Sequence, residues 1–205
     1  MRGSLKMSIK PTALIRYLLV AGFASLLAAC ASAPDTGSVD GNASLTEEQA
    51  EIQAHFHEAV VLQNAGDLDS AKEIYLALHE AHPELAAPLV NLGSIAMAQD
   101  KPDDAEVLFE QAVAIDPAQL QSLNALGMLA RERGDFDTAE NDYRQALETD
   151  PDFAPAVLNL AILLDLYRGE LAEALGYYQH YQAIADEPDP RLKDWIFDLK
   201  NRIGE

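Results

Sequence analysis

Five histidines and one cysteine are the residues of this 205-residue sequence best suited to hold a metal or act as a nucleophile. His79 and His82 stand three apart, with Glu80 and Glu84 nearby. On a helix that spacing puts both imidazoles on one face, where they could hold a metal ion. The same pair near a helix C-terminus also suits a solvated last turn, where protonated His complements the dipole. His55 and His57, two apart, point to different helix faces. The single cysteine, Cys30, excludes a disulfide framework within one chain and a cysteine-based zinc cluster. No Gly-rich phosphate loop, HExxH or GxSxG is present. The 34 acidic residues are scattered along helix surfaces, as on a solvated face. A metal-dependent enzyme therefore rests on the His pair alone. The chain reads as non-enzymatic, without catalytic residues, a resident metal or a cofactor.

Fourteen basic residues against 34 acidic ones give a formal charge of −20. That excludes non-specific nucleic-acid binding and electrostatic docking on anionic lipid, both of which need basic surface. A hydrophobic fraction of 49% is too high for a disordered chain.

Residues 1–29 carry Arg2, Lys6, Lys10 and Arg16 and no acid, and an apolar run follows from Tyr17 to Ala29. A basic stretch, about a dozen apolar residues and then small ones is the pattern of a secretory signal. The run is short for a membrane span, which needs roughly 20 residues. Either Met1 or Met7 could be the true start. The run ends Leu27-Ala28-Ala29-Cys30, which resembles the bacterial lipobox. That resemblance implies cleavage after residue 29 and a lipidated Cys30 as the first mature residue. Several acyl chains on one residue suffice for stable anchoring. The alternative for Cys30 is a buried core cysteine behind an ordinary signal. Ala31, rather than Asp, after the cysteine resembles outer-membrane sorting. Cleavage would leave ten basic residues against 34 acidic, a charge of −24. Residues 30–45 then form the lipidated cysteine and a flexible tether with little to bury.

The remainder repeats. Segments Gly66–Ala71, Asp100–Ala105, Gly134–Ala139 and Gly169–Ala174 align, with their alanines 34, 34 and 35 residues apart. Pro83, Pro117 and Pro151 are also 34 apart. Small residues at Ala59, Gly93, Gly127 and Ala161 would let a second helix approach through Ala71, Ala105, Ala139 and Ala174. An aromatic follows each of those alanines by four, at Tyr75, Phe109, Tyr143 and Tyr178, on the same helix face. Gly66, Gly134 and Gly169 suit turns with positive φ. Asp100 replaces the glycine in the second repeat, and the fourth has an extra residue around Asp165–Arg168. Thr46 and Gln49 form a capping box. Asp189-Pro190 opens a last helix whose stripe is Leu192, Trp195, Ile196, Leu199 and Ile203.

This pattern resembles the tetratricopeptide repeat (TPR). The resemblance implies an all-α, right-handed α-solenoid with four repeats at 52–85, 86–119, 120–153 and 154–188, spanning 46–188. A C-terminal capping helix at 189–205 covers the open end, as solenoids require. It also implies a groove lined by the first helix of each repeat. Here the lining is Phe56, Val60, Val90, Asn91, Met97, Asn124, Met128, Arg131, Leu158, Asn159 and Ile162. An asparagine can both donate to and accept from a peptide backbone; helix packing or capping is the other role open to each. Gln53, Phe56, Ala87, Val90 and Gln121 fill the places where a chaperone-tail receptor would need Lys or Arg.

Lipobox plus repeats resembles the plan of the pilotin lipoproteins of type IV and related pili, which bind secretin subunits. The implied protein is an adaptor lipid-anchored at the periplasmic face of the outer membrane. It would bind a protein or peptide segment of envelope machinery in its groove. Accessories of TonB-type transport or a protease adaptor share the plan. Self-association through an uncovered repeat face would make a homo-oligomer.

Overall fold

A computed structural model describes residues 46–204. The signal, Cys30 and the tether lie outside the described residues. All described secondary structure is helical. The described residues divide into two compact units, with the boundary between Ile74 and Tyr75.

In the first unit, α1 (Glu47–Ala65) opens on the capping box. Thr46 Oγ1 accepts from the Gln49 amide at 3.2 Å, and Gln49 Oε1 accepts from the Thr46 amide at 3.0 Å. The helix stops at Gly66, whose φ of +86° releases the chain for the next helix. The Asp67 carboxylate then accepts from the Ser70 amide and hydroxyl, starting α2 (Leu68–Ala81), which belongs to the first unit only as far as Ile74.

The second unit stacks three helix pairs. These are α3 (Ala86–Ala98) with α4 (Pro102–Ile115), α5 (Leu120–Arg133) with α6 (Phe136–Thr149), and α7 (Ala154–Leu163) with α8 (Leu171–Ile184). Each pair packs on the next, and α9 (Leu192–Ile203) packs on α8. Inside a pair the glycines decide how close the helices come. A Cβ on Gly93 would lie 2.7 Å from Phe109 Cε1, and one on Gly127 would lie 2.6 Å from Tyr143 Cε1. The aromatic ring itself occupies the space a side chain would need. Ala105, Ala139 and Ala174 are wholly buried in the facing helices.

The expected irregularities take definite forms. Asp100 adopts φ +60°, doing as an aspartate what Gly134 and Gly169 do elsewhere. The extra residue of the last repeat is absorbed by a π-helical turn, Leu164–Arg168, which continues α7 and ends at Gly169. The last helix begins later than Asp189-Pro190 suggests. Asp189 is occupied by the Arg191 amide at 2.8 Å and its guanidinium at 2.7 Å, and the helix starts at Leu192. It buries Leu192, Trp195 and Leu199, with Trp195 5.9 Å from Tyr178 centroid to centroid. Lys193 is exposed, whereas the Arg202 guanidinium donates to Asp165 at 2.5 Å.

Candidate functional site

The first helices α3, α5 and α7 carry the residues expected to line a groove. Ala96 of α3 shares a core cluster with Ala125 and Leu129 of α5, and α5 meets α7 directly. Half-buried Val90, Met97 and Leu126 pack against that cluster, and Leu158 against the core around α7. These side chains keep one side in the core and one side available.

The expected lining needs correction in accessibility. Asn124, Met128, Arg131, Asn159 and Ile162 are buried in the second unit, and Val60 is buried in the first. Phe56, Val90, Asn91, Met97 and Leu158 are half-buried. The asparagines are engaged within the chain. Asn91 Nδ2 donates to the Ala87 carbonyl one turn back, at 3.0 Å. Asn159 Nδ2 donates to Asn124 Oδ1 at 2.9 Å, and Asn124 Nδ2 points to the Met128 sulfur at 3.7 Å. Arg131 Nη1 donates to Asn159 Oδ1 at 3.5 Å. The stripe Asn124–Met128–Arg131 on one face of α5 thus meets Asn159 of α7 in a buried polar chain. A fully buried amide must find a partner, and adjacent repeats supply it.

A second polar group was not singled out by the repeat pattern. The π-helical turn leaves Asp165 only 5% exposed. It takes Arg202 from α9 at 2.5 Å and the Tyr178 hydroxyl at 3.4 Å. Its one sequence signal is the extra residue near it. Further out, Arg144 of α6 bridges Glu140 at 2.9 Å and Glu173 of α8 at 2.8 Å, which holds its guanidinium firmly charged. Arg168 pairs with Asp137 at 2.6 Å and Glu140 at 3.1 Å, and Arg133 with Glu106. Burial, then the charges of Asp135 and Glu106, push Asp142 up to about 6.

The histidines do not converge. His82 lies 3.6 Å from Glu84, and among the described residues no three His, Cys, Asp or Glu side chains are grouped to hold a metal. Nor is any described helix long and apolar enough to cross a membrane.

Family models of the tetratricopeptide repeat match residues 84–152 and 124–190. The uncharacterized protein y4yS of Sinorhizobium fredii is 32% identical over 71 residues, 35% of this chain and 39% of that one. A probable UDP-N-acetylglucosamine–peptide N-acetylglucosaminyltransferase, SPINDLY of Solanum lycopersicum, is 31% identical over 106 residues, 52% of this chain and 11% of that one. The chain therefore spans well under half the length of these relatives. Among solved structures, Pseudomonas aeruginosa PilF superposes with TM-score 0.67 at 18% identity, covering 78% of this chain and 72% of that one. MamA does so with TM-score 0.59 at 21% identity, covering 75% and 82%. Yeast Tom70 matches with TM-score 0.67 at 15% identity, covering 75% of this chain and 34% of that one. These three are likenesses of fold. Residues 84–190 are a run of tetratricopeptide repeats.

Proposed function

We propose that this tetratricopeptide-repeat chain is a lipid-anchored adaptor, held at the periplasmic face of the outer membrane through Cys30. It grips a segment of an envelope protein across α3, α5 and α7. The observation that carries the reading is the row of half-buried apolar side chains, Val90, Met97 and Leu158, on that face. Each can gain burial from a partner without leaving the fold, which is how a preformed surface binds an extended or helical segment. The buried Asn124–Asn159 bond beneath fixes two of the helices relative to each other, so the surface is preorganised. The anchor adds effective concentration without adding contacts.

The lipobox-plus-repeats plan makes a secretin subunit or another pilus component the first partner to test. Two arms test the reading. Radiolabelled palmitate should enter the wild-type chain and not Cys30→Ser, and only the wild type should fractionate with outer membrane. Co-purification from crosslinked envelopes should return a partner that Val90→Glu with Met97→Glu loses while keeping its helical spectrum. Met97 serves here rather than Met128, because a charge at the buried Met128 would unfold the repeat. An unchanged partner set in that variant contradicts the surface. Soluble wild-type protein without label contradicts the anchor.

A further inference from the structure

The chain carries a formal charge of −20, but its last helix does not share that acidity. Four of the ten basic residues beyond Cys30 stand on or beside α9: Arg191, Lys193, Lys200 and Arg202. Arg191 is held by Asp189, and Arg202 by Asp165 and Asp198. Lys193 and Lys200 make no ion pair among the described residues. Between them stands Phe197, 70% exposed, the most exposed large apolar side chain among the described residues. Positions 193, 197 and 200 are four and three apart, so they share one helix face. Half-buried Ile196 and Ile203 border that face, while Asp194 and Asp198 fall on the other flank. The cap itself is made by Leu192, Trp195 and Leu199, so packing within the chain does not account for Phe197.

The first helix carries the converse pattern. Glu51, Ala54 and Glu58 of α1 are exposed on one face, three and four apart, with Val61 a turn further on at 52% exposure. No Lys or Arg stands in α1, and neither glutamate makes an ion pair among the described residues. We propose that α9 of one copy of this chain docks antiparallel on α1 of a second copy, with Lys193 against Glu58, Phe197 on Ala54 and Lys200 against Glu51. Four residues separate Lys193 from Phe197 and Glu58 from Ala54; three separate Phe197 from Lys200 and Ala54 from Glu51. Both charge pairs therefore close in one register, two turns or about 10.5 Å apart. A parallel arrangement would put the middle residues one position out of step. A large ring over a single methyl suits helix axes about 8–10 Å apart. Burial of Phe197 supplies most of the attraction, and the charge pairs at the wet rim fix register and partner. So acidic a chain repels its own copies, and only a face matched in charge brings two together. The two faces are different surfaces of one chain, so the contact is heterologous. Each copy offers α9 to one neighbour and α1 to another, and association continues past the dimer unless a ring closes. The contact uses none of Val90, Met97 and Leu158, so it stands or falls separately from the adaptor reading.

The test is analytical ultracentrifugation of the full chain in density-matched detergent, with charge reversal on each face. Wild-type association should be half-complete between about 10 μM and 1 mM, as for a small contact. Phe197→Ala should weaken it by about tenfold. Lys193→Glu with Lys200→Glu should be monomeric, and so should Glu51→Lys with Glu58→Lys, each with its helical spectrum unchanged because these side chains lie outside the core. Mixing the two reversed proteins should restore association, since every α9 then finds an oppositely charged α1 on the other protein. A single chain carrying all four reversals should associate like wild type. Wild type that stays monomeric through 1 mM overturns the inference. So does association that survives either reversal, or that mixing fails to restore. A monomer that instead floats with phosphatidylglycerol vesicles through Lys193 and Lys200 would overturn it in favour of a lipid surface. In each of these cases a partner captured through Met97 leaves the adaptor reading standing, and failure of that capture leaves the contact between copies standing.

Discussion

Asn159 Nδ2 donates to Asn124 Oδ1 across 2.9 Å, joining α7 to α5 where neither side chain is more than 4% exposed. Breaking one side strands the other in the core. Asn159→Ala should cost about 1–3 kcal/mol of unfolding free energy. The double variant with Asn124→Ala should cost less than the sum of the singles, because the second change removes a group already stranded. Denaturant unfolding of the four proteins measures the coupling; strict additivity would mean the bond contributes nothing.

Gly127 and Gly134 are both glycines of one repeat, but for different reasons. Gly127→Ala drives a Cβ to 2.6 Å from the Tyr143 ring, so the helix pair must part. The expected loss is about 1–3 kcal/mol. Gly134→Ala meets no atom within 4 Å and costs only the strain of φ +83°, about 1 kcal/mol. If Gly127→Ala proves the milder of the two, close packing is not why that residue is glycine. The last repeat has Ala161 at the matching place, in the same core as Tyr178, so the damage should be local rather than global.

Asp142 predicts a pH dependence. Its folded-state value is raised from 3.8 to about 6, chiefly by burial. Between those values the folded chain holds a proton that the unfolded chain has lost, so stability falls as pH rises through the window. Asp142→Asn should be near neutral at pH 4 and stabilising at pH 7. The gain should be about 1–2 kcal/mol once solvent screening of this half-buried group is allowed for. A Tm difference between the two proteins that does not change with pH would refute this.

Arg202→Ala leaves Asp165 buried with only the Tyr178 hydroxyl. The local cost is about 1–3 kcal/mol, at the lower end for a partly exposed arginine. Trp195, the single tryptophan, sits on α9 against Tyr178 and reports the event. Its emission should shift to longer wavelength at lower denaturant than the loss of helical signal. Coincident transitions would show that α9 does not detach separately.

The repeat frame is legible because its signals are local or periodic. Ala105, Ala139 and Ala174 with their aromatics mark the second helices, and Gly66, Gly134 and Gly169 mark the turns. Asp100 keeps that turn through the left-handed region that aspartate tolerates. The π-helical turn is legible only as a misfit of one residue, since a sequence does not say whether an insertion lengthens a loop or bulges a helix. The site is less legible. Position within a repeat assigns Asn124, Arg131 and Asn159 to a face, but not whether the next repeat covers them. Their partners lie 28 and 35 residues away and are set by the stacking of α5 on α7.

The most direct measurement places a photo-crosslinking amino acid at Met97, at Leu158, and at the exposed Glu148 on α6, one position at a time, in cells. The adaptor reading predicts one discrete adduct, with the same protein, from Met97 and from Leu158, and none from Glu148. An adduct from Glu148 alone would contradict it and move the binding surface to the second helices.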